Sequence, residues 1–89
     1  MAADPRFHSQ ICDLLGCSVP ILQAGMGGPA RSELAAAVAE AGGFGMLGMV
    51  RESPELIRAE IAAARARTNR PLAVNLIPSA TQAALLDAE

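Results

Sequence analysis

Three short apolar segments, each followed by a stretch of helical periodicity, limit the folds open to this chain. They are Pro20-Ile21-Leu22-Gln23-Ala24, Phe44-Gly45-Met46-Leu47-Gly48 and Leu72-Ala73-Val74-Asn75-Leu76. After the first, Ser32 is placed to cap a helix over 33–41, with Leu34, Val38 and Ala41 on one side and Gly42-Gly43 as its stop. After the second, Ser53-Pro54-Glu55 combines a cap, a first-turn proline and an acid at the positive pole of the helix dipole. Leu56, Ile57, Ile61 and Ala64 then form a stripe, and the helix is expected to stop near Asn69, before Pro71. A third helix is expected over 81–89, capped by Ser79 or Thr81. The order β-α-β-α-β-α recurs at roughly 25–30 residues, the size of a βα repeat. Apolar strands alternating with amphipathic helices imply a parallel sheet covered by helices. Barrels and doubly wound sheets both use this unit.

The segment ahead of these repeats reads as a loose tail over 1–6. A short helix follows over 9–15, with Ile11, Leu14 and Leu15 on one face and Gly16 as its stop. Pro20 is tolerable at the first position of its strand, where the missing N–H matters least. As a lone domain, a chain of 89 residues buries only about 60–65% of its unfolded surface, which leaves little margin.

Composition narrows the partners. There is no Trp or Tyr, and Phe7 and Phe44 are the only aromatics, so no stacking surface for bases exists. Net charge is −2, and the seven basic residues, all Arg, form no stripe. Nucleic acid is therefore not an expected partner. Arg65, Arg67 and Arg70 do cluster, but at a helix C-terminus, where cations suit the dipole. Cys12 and Cys17 match neither a C-x-x-C motif nor a zinc-ligand spacing, and are expected to stay reduced with one or both buried. His8 has no partner that would make it a catalytic base and reads as a surface or packing residue. The N-terminus lacks the basic and apolar regions of a signal peptide, and no apolar run reaches membrane-spanning length. The expected setting is the cytoplasm, without membrane association.

The glycine cluster after the first strand carries the chemistry. In Gln23-Ala24-Gly25-Met26-Gly27-Gly28, a strand runs into residues that let backbone N–H groups approach a ligand closely. Gly25 to Ala30 also satisfies G-x-G-x-x-[GA], and Glu52 follows at a distance suited to a ribose-binding acid. Two features weaken that dinucleotide reading. Pro29-Ala30-Arg31-Ser32 delays the helix that should open inside the motif, and Glu52 stands before a helix rather than at a strand end. Gly43 to Gly48 spells GxGxxG as well, but within a helix stop and a strand, and reads as a C-cap followed by a close-packed strand.

Asn75 is more selective. It is a strongly polar side chain inside an apolar strand, near its C-terminal end. Strand alternation puts it on one face with Ala73, and Leu72, Val74 and Leu76 on the face toward the helices. Active sites of βα folds lie at the C-terminal strand ends. Asn75 therefore either reaches a ligand there or ties neighbouring loops together. Gln23 faces the same two alternatives. Met26, flexible and polarizable, either packs on a flat ring or covers the mouth of the sheet.

Taken in order, Pro20 to Gly28, then Ser32-Glu33-Leu34-Ala35-Ala36-Ala37-Val38 with Ala41-Gly42-Gly43-Phe44-Gly45, then Ala73-Val74-Asn75-Leu76, resemble the N-terminal part of nitronate monooxygenases, formerly called 2-nitropropane dioxygenases. The resemblance runs from about Ile11 to Ile77. It implies the first βα repeats of an FMN-dependent TIM (β/α)8 barrel, with 1–18 as tail and short helix and 19–89 as an incomplete barrel of about three βα units. It implies an enzyme that oxidises alkyl nitronates to carbonyl compounds and nitrite with FMN and dioxygen. Ala24, Gly25 and Met26 would line the flavin from the first βα loop, and Asn75 would bind it through its amide. The chain departs from the family pattern at Gly25, where Pro is common, and at Pro29-Ala30-Arg31, where a shorter polar link is usual. The family's catalytic histidine and phosphate-binding loops belong to the later barrel, and nothing here matches them. An eight-fold barrel needs about 250 residues, so the expectation is an N-terminal fragment without activity of its own. The alternatives are an FMN-dependent enoyl-acyl-carrier-protein reductase, whose first βα loop looks much alike, and an NAD(P)-binding Rossmann module built on Gly25 and Glu52.

Overall fold

A computed structural model describes residues 5–77. After a short 3-10 turn at Pro5–Phe7, the elements are α1 (Gln10–Leu15), α2 (Ser32–Glu40), β1 (Gly45–Gly48), α3 (Pro54–Arg67) and β2 (Leu72–Asn75). The helix expected over 81–89 lies outside the described residues.

β1 and β2 pair in parallel, with Gly45 opposite Leu72 and Gly48 opposite Asn75. The expected first strand is reduced to one parallel bridge, Leu22 to Phe44. Around it the Gln23 N–H donates to the Phe44 carbonyl at 3.0 Å, and the Phe44 N–H to the Ile21 carbonyl at 2.9 Å. Beyond that point the Gln23 side chain replaces the backbone as partner of Met46, which is why the strand ends so early. The three segments thus lie in sequence order.

α2 and α3 cover one face of this sheet. Ala35, Leu47, Met49 and Ile57 form the core, with Ile61, Leu72, Val74 and Leu76 packed against it. The alternation expected of the third strand holds: Leu72, Val74 and Leu76 turn to the core, leaving Ala73 and Asn75 on the opposite face. The stripe expected on α2 is corrected. Its buried residues are Ser32, Ala35, Ala36 and Ala39, not Leu34, Val38 and Ala41. The reason is close approach: Gly45 sits where a Cβ would strike the carbonyl of Ala35. Only a face of alanines lets the helix descend that far.

The caps follow different rules. α3 opens as expected, with the Ser53 hydroxyl accepting from the Leu56 N–H at 3.1 Å and Pro54 at the first position. At α2 the expected Ser32 cap is not formed. Ser32 is the first helical residue, 2% exposed, and Arg31 stands at the cap position, its side chain making no capping bond to the helix N–H groups. The Ser32 N–H instead donates to Glu60 Oε1 of α3 at 2.9 Å. α2 ends as predicted at Gly42 (φ 106°), where the Gly42 and Gly43 N–H groups turn back to Ala39 and Val38. This is a Schellman closure, which favours glycine at its left-handed position.

α1 stops at Gly16 (φ 75°), whose missing side chain faces the Pro71 ring at the entry to β2. The helix therefore lies at the N-terminal end of the sheet. Its expected apolar face is only partly covered by the described residues: Leu15 is half-buried but Leu14 is 80% exposed, whereas Cys12, off that face, is 1% exposed. Both cysteines are free thiols, Cys12 buried and Cys17 half-buried. No helix among the described residues is long and apolar enough to cross a membrane.

Candidate functional site

The C-terminal ends of the parallel strands carry the residues singled out in the sequence. Gly48 and Asn75 are register partners there. The first βα loop folds across both. A Cβ placed on Gly48 would stand 2.5 Å from the Met26 carbonyl oxygen, and one on Gly25 would stand 2.5 Å from the Asn75 Cβ. The loop backbone is thus pressed onto the strand ends at two points where a side chain has been omitted. Further bonds fix it: the Gly48 N–H donates to the Ala30 carbonyl at 2.8 Å, and the Ala30 N–H to the Met26 carbonyl at 3.1 Å.

The structure brings Gly25 and Asn75 into contact, with Met26 beside them on the same loop and half exposed. Ala24 precedes them, and its carbonyl accepts from the Met26 N–H at 2.9 Å. Asn75 is half-buried, its main-chain carbonyl accepts from the Met49 N–H at 3.2 Å, and its carboxamide has no hydrogen-bond partner among the described residues. A carboxamide offers two donors and an acceptor, and those of Asn75 make no hydrogen bond to the described residues. Gln23 ties segments together: its amide is spent on both backbone groups of Met46, at 2.9 and 3.2 Å.

Two residues of this region do more than the sequence patterns indicate. Arg31 folds back under the loop, its Nε donating to the Gly28 carbonyl at 3.2 Å and its Nη2 pairing with Glu52 at 3.3 Å. Glu52 is therefore committed to the neighbouring loop rather than held for a ribose. The other is Gly48, whose lack of a side chain seats Met26; its place at the end of an apolar strand was the available signal. His8 lies away from the site, on exposed α1-side surface, paired with Asp13 at 3.0 Å. Among the described residues no group of His, Cys, Asp or Glu could hold a metal ion.

A parallel sheet in sequence order, helices on its outer face and a glycine loop over the strand ends define the start of a βα enzyme fold. Barrel and doubly wound sheets share that beginning, so comparison with known structures decides between them. The chain superposes on the M276A variant of FabK from Thermotoga maritima, a TIM-barrel enzyme, with a TM-score of 0.83 and 38% identity, covering 89% of this chain and 27% of that one. The described sheet is thus the beginning of a TIM barrel, not a Rossmann unit. The family model for nitronate monooxygenase matches residues 8–88. A probable nitronate monooxygenase of Staphylococcus saprophyticus is 39% identical over 75 residues, covering 83% of this chain and 21% of that protein. A (3aS,4S,5R,7aS)-5-hydroxy-7a-methyl-1-oxo-octahydro-1H-indene-4-carboxyl-CoA dehydrogenase of Mycobacterium tuberculosis is 33% identical over 78 residues, covering 88% of this chain and 22% of that protein. The chain belongs to the nitronate monooxygenase family and corresponds to its N-terminal region. It spans about a fifth of the length of these curated relatives.

Proposed function

We propose that this chain forms the flavin-binding edge of an FMN-dependent nitronate monooxygenase, which oxidises alkyl nitronates to carbonyl compounds and nitrite with dioxygen. The observation that carries the reading is the Asn75 carboxamide, unpartnered among the described residues and pressed against Gly25 at the C-terminal ends of the strands. An amide left free beside a bare backbone loop suits the polar edge of a flat, hydrogen-bonding ring system. Ala24, Gly25 and Met26 would line that ring from the first βα loop, and Asn75 would hold it by hydrogen bonds. Bound FMN would supply the redox chemistry, for which side chains are no substitute. The residues of this chain bind and orient; the catalytic base and phosphate loops come from barrel repeats beyond these three, so the 89 residues alone are inactive. We assign all of 1–89 to one barrel domain, with 1–18 leading into the repeats. Free Cys12 and Cys17 suit a reducing cytoplasm.

The likeness to FabK favours one second reading within the same fold, an FMN-dependent enoyl-acyl-carrier-protein reductase. Both readings keep FMN at Asn75 and differ in substrate. The test is to purify the complete natural polypeptide carrying this sequence, record its flavin spectrum, and assay nitrite release from an alkyl nitronate under dioxygen. Flavin content that drops in Asn75→Ala, with nitrite release, is the expected result. A protein that stays colourless with added FMN yet binds NAD(P) would remove the barrel-flavin reading. Flavin without nitrite release, but with enoyl-thioester reduction, would transfer it to the reductase.

A further inference from the structure

Gly25 does not have a positive φ, so its backbone conformation is open to any L residue. What the position lacks is room. A Cβ there would stand 2.5 Å from the Asn75 Cβ, 2.8 Å from its Cγ and 3.1 Å from its Oδ1. The Asn75 side chain therefore fills the space that a side chain at 25 would take. Gly27, in the same loop, also lacks a positive φ and has nothing within 4 Å of its Cβ position. Crowding is thus a property of position 25 and not of the loop at large. No hydrogen bond to the described residues holds the Asn75 carboxamide, and the loop at Gly25 packs directly against its side chain.

We infer that Gly25 is a positioning residue for Asn75: its missing side chain is the seat in which the Asn75 side chain rests, and this seat sets where the carboxamide meets a bound flavin. The ligand half of this inference rests on the flavin reading above. Both partners lie on rigid supports. Asn75 is the last residue of β2, hydrogen-bonded to Met49 through its carbonyl, and the loop beside Gly25 is pinned on Gly48. A methyl at 25 cannot be absorbed by rotating Asn75 alone, because Cβ itself is in the way. Loop and strand end must part, carrying the carboxamide with them.

The experiment compares wild type, Gly25→Ala, Asn75→Gly, the double variant and Gly27→Ala in the complete natural polypeptide, by thermal unfolding without ligand and by FMN titration. Gly25→Ala is expected to lower the unfolding temperature, and adding Asn75→Gly to recover most of that loss, since the atoms the methyl meets are gone. Gly27→Ala is expected to keep the wild-type unfolding temperature. Gly25→Ala is expected to weaken FMN binding about tenfold, the scale of one misplaced hydrogen bond, and the double variant to fold without regaining affinity. Should Gly25→Ala fail to fold, recovery in the double variant still supports the seat. An equal loss of stability in Gly25→Ala and the double variant overturns it. Wild-type FMN affinity in Gly25→Ala overturns the positioning role while leaving the flavin reading intact. A wild type that binds no FMN removes the flavin reading and the ligand half with it, whereas the thermal cycle judges the seat either way.

Discussion

The Gln23 carboxamide forms a two-bond clamp on the backbone of Met46, donating from Nε2 to the carbonyl at 2.9 Å and accepting from the N–H at Oε1 at 3.2 Å. A primary amide has the donor and acceptor of a peptide group, so a side chain here continues a ladder that the backbone opened at Leu22 and Phe44. The main chain is thereby released to turn into the glycine loop. The polar residue at the strand end thus shapes the site without reaching into it.

Replacing Gln23 with Leu keeps the bulk and removes both partners of Met46. Leaving a half-buried N–H and carbonyl without partners costs about 1–3 kcal/mol. Gln23→Glu accepts but cannot donate, and sets a carboxylate against the Met46 carbonyl, so near neutral pH it is expected to cost at least as much. Urea unfolding should show a lower midpoint at an unchanged slope. An unmoved midpoint in Gln23→Leu would mean that water replaces the clamp at no cost.

What could be read from the sequence was what neighbours in the chain decide. Ser53 and Pro54 start α3 through contacts within one turn, and strand alternation put Asn75 and Ala73 on the face away from the helices. What escaped depends on partners far along the chain. Ser32 has every local mark of a cap, yet Glu60, 28 residues later, takes its N–H. Leu34 and Val38 have the spacing of a core stripe, yet Gly45 draws α2 so close that the alanines turn inward. At the site, the glycine cluster was visible as a place of close approach. That the approach at Gly25 is to Asn75, and at Gly48 to Met26, appears only once the three segments stand side by side.

Glu60 offers a second test. Its carboxylate accepts from the first N–H of α2, at the positive end of that helix. Glu60→Ala is expected to cost about 0.5–2 kcal/mol, the range for losing a helix cap. Glu60→Gln keeps an acceptor oxygen and loses the charge, so it is expected to fall between wild type and Ala. Hydrogen exchange at Ser32 gives the local readout, with faster exchange in Ala than in Gln. Equal stability of all three proteins would reduce the bond to a surface contact.

Alkaline pH is expected to weaken the fold through Cys17. Desolvation pushes the Cys17 thiol above its ordinary range, and neighbouring Cys12 adds to the effect through charge repulsion and a hydrogen bond. A group whose folded pKa is raised binds its proton more tightly in the folded chain. Its contribution is fully present below the unfolded thiol pKa and fades as pH rises through the folded one, because the unfolded chain ionises first. Within these 89 residues no Tyr competes with the thiols, and the basic side chains other than His8 are all Arg. The readout is the unfolding temperature between about pH 8.5 and 10.5, across the ordinary thiol range and above it. The unfolding temperature of wild type is expected to decline over that range, and that of Cys17→Ser to decline less. Parallel curves for the two proteins would show that Cys17 ionises alike in the folded and unfolded chain.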